Sequence, residues 1–240
     1  MPLPEAPQKW AQDQVSGFFD IARNNEYATF ANLTAEVNRL LDIDLSYRKA
    51  IEALNHSQDW FAGFFVLRAH SNFLAACRLG WSGQIPECYA VLRSCLENSL
   101  YGLYLANNPN SRETWLHRHD TDESKKAVRK EFQITRMLEL VKFLDRSEGE
   151  VAELLYERTI DQGSHPNERT LTQMLQVNEN PNHVEFKMIY VVDDVEQLKL
   201  TLKTTAQVGV CALSLFRLIY KERFDILGIS AALEDIKVGL

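Results

Sequence analysis

Residues 86–108 read PECYAVLRSCLENSLYGLYLANN, and this stretch decides the fold. Pro86 suits a first helical turn, where its missing N–H would have had no partner anyway, and Pro109, after two asparagines, marks the stop. Leu92, Leu96, Leu100 and Leu103 recur at helical spacing as one apolar ridge, and Val91, Cys95 and Leu105 widen it. A helix so apolar is expected to be the buried centre of a bundle. Against that background Arg93 and Glu97 stand one turn apart, with Tyr101 and Tyr104 continuing the same stripe. Taking ions out of water costs several kcal/mol each. The pair therefore reads as an internal ion pair fixing helix register, as the lining of a functional pocket, or as a partly solvated face.

Working outward, Asp59 to Leu79 follows a start signal in Ser57, Gln58 and Asp59 and ends at Gly80 and Gly83. It is rich in phenylalanine yet carries Arg68, Ser71 and Asn72 near its middle. Antiparallel packing on the 86–108 helix brings Arg68 and Asn72 to the level of Arg93 and Glu97, and makes Arg68, Asn72 and Tyr101 candidate ligand-binding residues. Upstream, helices are expected over 8–23, with Trp10, Val15, Phe18, Phe19 and Ala22 on one face, over 28–41, and from a Ser46 cap to Leu54. Downstream, Ser111 caps a short helix, 122–144 reads as one surface helix, and Ser147 with Glu150 forms a capping box that opens a helix to Gln162. The turn-forming run Gly163 to Asn167 is expected to hold His165 in a fixed loop. Residues 171–177 and 184–192 form a hairpin across NENPNH, unless the first limb continues as helix. A long helix over 195–224 and a short one from Gly228 complete the chain.

The fold class is thus all-α: one up-and-down helical bundle over 1–240, with at most one short β-hairpin and an exposed arm at 1–7. At 240 residues, 45% hydrophobic and 25% charged, the chain can bury one sizeable core. Its net charge of −7 argues against broad phosphate-backbone binding, so RNA is a partner only through a local basic groove. The apolar windows 61–67 and 206–220 are closed or interrupted by Arg68, Gln207 and Arg217. Neither reaches the length of about 20 residues that a membrane span needs. No basic start followed by an apolar run is present, and a cytoplasmic protein without a membrane span is the expectation. The cysteines at 77, 88, 95 and 211 include no C-x-x-C pair, which suits buried thiols. No phosphate-binding glycine loop, H-E-x-x-H, G-x-S-x-G or Glu-x-x-His helix occurs, so neither cofactor nor metal is implied. A generous supply of aromatic and aliphatic residues suggests a symmetric homodimer.

The helix motif Leu92, Arg93, Ser94, Leu96, Glu97, followed by the loop Gly163 to Asn167, resembles a group of uncharacterised bacterial helical proteins distantly similar to the HEPN superfamily. The resemblance covers about Asp59 to Val177. It implies an all-helical, often dimeric bundle, in a superfamily that includes RNA-cleaving toxins, defence proteins and inactive members. Its ribonucleases carry an Arg and a His four to six residues apart. Arg112 with His117, or with His119, offers that spacing, with Glu113 directly after the arginine. An imidazole moves the proton of a ribose hydroxyl while a guanidinium stabilises charge on the phosphorane. The family places this pair on a core helix, whereas here it lies between Pro109 and a charged segment. Three functions follow: a binding or regulatory module, in the setting of stress or mobile-element defence; a metal-independent ribonuclease using Arg112 and His117; and a small-molecule enzyme using Arg93, Glu97 and His165.

Overall fold

The computed structural model describes residues 5–54, 60–164, 168–181 and 183–240. It is 78% helical, and its strands form one two-stranded antiparallel sheet. The central helix is α4, Ile85–Asn107, with proline in its first turn and Leu92, Leu96, Leu100 and Leu103 all buried. α3, Trp60–Ser82, packs antiparallel on it. The Cys95 thiol donates to the Ala69 carbonyl at 3.3 Å and the Cys88 thiol to that of Ala76 at 3.3 Å. Seven residues down one helix thus match seven up the other. Gly80, expected to end α3, lies inside it; the stop is Gly83, whose φ of 83° belongs to the left-handed region that glycine tolerates. The expected start at 57–59 lies outside the described residues.

The N-terminal boundaries differ from the sequence reading. α1 runs Gln14–Asn32 because the Asp13 carboxylate accepts from the N–H groups of Val15 and Ser16. It buries Ser16, Ala22 and Thr29, leaving Val15 and Phe19 exposed. α2 is continuous over Thr34–Ala53. Ser46 caps nothing there, since its hydroxyl donates back to the Asp42 carbonyl at 3.0 Å within the helix. Ser111 likewise lies inside α5, Asn110–Leu116, which Trp115 ties down edge-on against Phe61 and Phe65.

The expected 122–144 helix is two, α6 Asp122–Glu131 and α7 Ile134–Leu144, because Phe132 leaves the helix to stack on Tyr101 at 5.3 Å between centroids. α8, Arg146–Thr159, is capped by Asp145 in place of the expected Ser147 box. It passes into a π-helical turn, Ile160–Ser164. A short α9, Glu168–Gln173, takes the start of the expected first strand. β1 Leu175–Asn180 then pairs with β2 His183–Met188, in the register Val177 opposite Phe186.

α10, Val195–Ile219, is the second core helix, packed on α2, α3, α4 and α8. Among the described residues it alone is long and apolar enough for a membrane span, the interruptions at Gln207 and Arg217 notwithstanding, yet 72% of that apolar window is buried in the bundle. α11, Lys221–Ile226, and α12, Ile229–Lys237, close the chain against α10 and α2. One contiguous cluster of buried side chains extends from Leu33 to Ile236.

Candidate functional site

The stripe on α4 faces α8. Arg93 Nε donates to Glu97 Oε1 at 2.9 Å, while its Nη2 donates to the Tyr156 hydroxyl at 2.8 Å. Tyr156 in turn donates to Glu97 Oε1 at 3.2 Å, and the guanidinium carbon lies 5.1 Å from the Tyr156 ring centroid. Three side chains therefore close on one another across the α4–α8 contact. The Arg93 and Glu97 side chains keep 22% and 34% of their surface exposed. That is the partly solvated helix face, not a pair sealed in the core. Burial, then the Glu97 carboxylate, pushes the Tyr156 phenol up, so it stays a proton donor. For Arg93, burial is the largest influence and would favour the neutral form, but Glu97 and Tyr156 together outweigh it and the guanidinium is held charged. Among the described residues the arrangement fits a charge-assisted clamp of Arg93, Glu97 and Tyr156. Acid–base chemistry here would need a substrate to displace one of the three.

The other residues singled out in the sequence are placed as follows. Tyr101 joins the stripe by stacking on Phe132, and burial followed by Glu97 pushes its phenol up. Arg68 is exposed on α3. Asn72 is buried with Nδ2 lacking a partner among the described residues. The level of the helices is as expected, but neither residue is drawn into the clamp. Arg112 Nε donates to the Leu105 carbonyl at 3.0 Å, and its guanidinium lies 5.2 Å from the Phe61 ring centroid. His117 is the exposed C-cap of α5, its Nδ1 2.9 Å from the Glu113 carbonyl. That carbonyl first, and Asp120 next, raise the pKa of the imidazole. Arg112 and His117 are thus each held by their own helix or its neighbour. His165 lies outside the described residues. Gly163, in the π-helical turn, abuts the α4 N-terminus so closely that a Cβ would stand 2.2 Å from the Pro86 carbonyl oxygen. Pro86 is seven residues, about 10 Å along the axis, from Arg93.

Several polar clusters draw on partners that local sequence does not reveal. Tyr156 is one member. His70 Nε2 sits 2.7 Å from Asp44 Oδ1, Arg48 reaches the other oxygen at 2.9 Å, and Tyr47 stacks on the imidazole at 5.0 Å. The i,i+4 spacing of Asp44 and Arg48 was visible, but the partner on α3 was not. Glu148, buried on α8, accepts from Arg217 at 3.3 Å and Lys237 at 2.8 Å, and Glu234 bridges the same two cations at 2.9 and 3.1 Å. A cleft of about 260 Å³ opens beside this ring, reaching Gln207 and Cys211. A larger one, about 620 Å³, lies between α8 and α10 with Tyr89, Arg158 and Lys203 on its walls.

All four cysteines are buried free thiols. Burial pushes those of Cys88 and Cys95 up to about 12, which keeps them inert as nucleophiles. Among the described residues no three His, Cys, Asp or Glu side chains gather as a metal site needs. Compared with protein-family models, curated proteins and solved structures, the chain finds no match in any of the three.

Proposed function

We propose that the chain is a binding or regulatory helical module, and that its most conspicuous polar cluster, Arg93, Glu97 and Tyr156, holds the bundle together instead of turning over a substrate. The observation that supports this reading is the separate engagement of Arg112 and His117. A ribonuclease of HEPN type needs both groups around one phosphate, the imidazole at the 2′-hydroxyl and the guanidinium at the phosphorane. Here the guanidinium is folded back on Phe61 and Leu105, while the imidazole faces its own helix end. The likeness to the HEPN superfamily, with its setting in stress or mobile-element defence, then fits the members that bind without cleaving.

Incubating the full chain with a mixed RNA pool in EDTA tests this. The expected result is intact RNA, unchanged by Arg112→Ala or His117→Ala. Cleavage by the wild-type chain that either substitution abolishes would establish the ribonuclease instead. The third reading, a small-molecule enzyme, draws on the partial exposure of Arg93 and Glu97. It requires that Tyr156→Phe, which removes the phenolic proton, lower ligand turnover more than stability.

A further inference from the structure

The β1–β2 hairpin is built like half of a sheet. Its register puts Leu175, Val177, Val184, Phe186 and Met188 on one face, with Glu179 opposite Val184, because residues directly opposite point the same way. Gln176, Asn178, Glu185 and Lys187 occupy the other. Yet every strand position except half-buried Leu175 is exposed, Phe186 at 67% and Val184 at 51%. Among the described residues it is fixed at its root: Ile189 N–H donates to the Met174 carbonyl at 2.8 Å, and Val192 N–H to that of Gly83 at 2.9 Å. A two-stranded ribbon standing free in water is marginal, and three or more strands are needed to stabilise such a face. Neither long edge pairs with another strand among the described residues. A free edge usually carries a deterrent, often a lone inward or edge lysine.

On β2 the lysine instead has a complement two residues away. We infer that β2 pairs antiparallel with β2 of a second copy of this chain, about a two-fold axis through Phe186, giving a continuous four-stranded sheet across the dimer. That register sets Glu185 opposite the partner's Lys187 and, by symmetry, Lys187 opposite the partner's Glu185. Val184 meets the partner's Met188, and Phe186 meets its own mate. Moving the axis to Glu185 sets that carboxylate against itself, and moving it to Lys187 does the same for the ammonium; like charges directly opposite destabilise. An axis between residues would mix the apolar and polar faces. β1 offers no such pairing, since its single charged residue is Glu179. The inference is independent of whether the helical body binds or cleaves RNA.

Sedimentation of the full chain tests it. The wild type is expected at twice the 27.6 kDa of one chain. Lys187→Glu and Glu185→Lys, each converting both ion pairs into like-charge pairs, should weaken association at least about tenfold. Mixing the two variants should restore the dimer as a heterodimer, because every cross-strand pair is then opposite in charge. Both residues are exposed, so the helical circular dichroism should stay unchanged. A wild type that stays at 27.6 kDa at the highest concentration it tolerates would overturn the inference. So would single variants that dimerise as well as the wild type, or a mixture that gains nothing.

Discussion

Glu97 carries the clearest consequence at the scale of single residues. It accepts from both Arg93 and Tyr156, so neutralising it removes the Glu97 charge from a guanidinium in a half-buried setting. The exposure of 22% and 34% places the pair between the surface case, worth 0–1 kcal/mol, and a fully buried one, where breaking a partner costs about 3–5 kcal/mol. Glu97→Gln and Arg93→Met are each expected to destabilise by about 1–2 kcal/mol in urea unfolding; losses below about 0.3 kcal/mol would leave the cluster without a stabilising role. The charged pair was legible in the sequence from its four-residue spacing on an apolar helix. Tyr156 was not, because 59 residues separate it from Glu97 and nothing in RSEGEVAELLYERT distinguishes a tyrosine that meets a carboxylate from one that fills the core.

Among the elements, those whose ends are written in local chemistry were readable, and those whose ends depend on distant contacts were not. α4 announces itself through Pro86, its leucine ridge and Pro109. The break at 132–133 exists because Phe132 stacks on Tyr101, a contact across 31 positions that periodicity inside 122–144 cannot reveal. Ser46 misleads for a different reason. A serine that would cap a new helix can equally bond its hydroxyl to the preceding turn, as it does to Asp42. Helix crossings depend on small residues in the same hidden way. A Cβ on Gly209 of α10 would stand 2.6 Å from Phe73 Cε2 on α3 and 2.9 Å from Ile43 Cγ2 on α2. Both neighbours are fully buried and have no room to yield. Gly209→Ala should therefore destabilise by about 1–3 kcal/mol despite its better helix propensity, and a stabilised variant by thermal melting would mean that the three helices cross further apart.

For the whole molecule, the all-α class was legible from the period of the apolar residues, while the ties between distant helices were not. Glu148, Arg217, Glu234 and Lys237 join α8, α10 and α12. Hydrogen bonds from Lys237 and then Arg217 hold the Glu234 carboxyl below its ordinary 4.5. Burial alone would lower the pKa of Lys237, but its bonds to Glu148 and Glu234 outweigh that and raise it above 10.5. A depressed carboxylate stabilises above its unfolded value and loses that contribution as pH falls through the folded one. A raised ammonium stabilises below its unfolded value and loses its share as pH rises through the folded one. The difference in melting temperature between the wild type and Lys237→Met should accordingly be level between about pH 5 and pH 10 and shrink on either side. A difference that does not change with pH would mean the ring is not formed in solution.

On the proposed reading the polar stripe on α4 ties the bundle together instead of serving a substrate, and a double-mutant cycle on Glu97 and Tyr156 measures this most directly. Glu97→Gln, Tyr156→Phe and the double variant are unfolded in urea at neutral pH. The clamp predicts a coupling of about 1 kcal/mol between the two positions, with the double variant losing less than the sum of the singles. Strict additivity, with each substitution nearly neutral, would contradict it and return Arg93, Glu97 and Tyr156 to the solvent as groups available for a ligand.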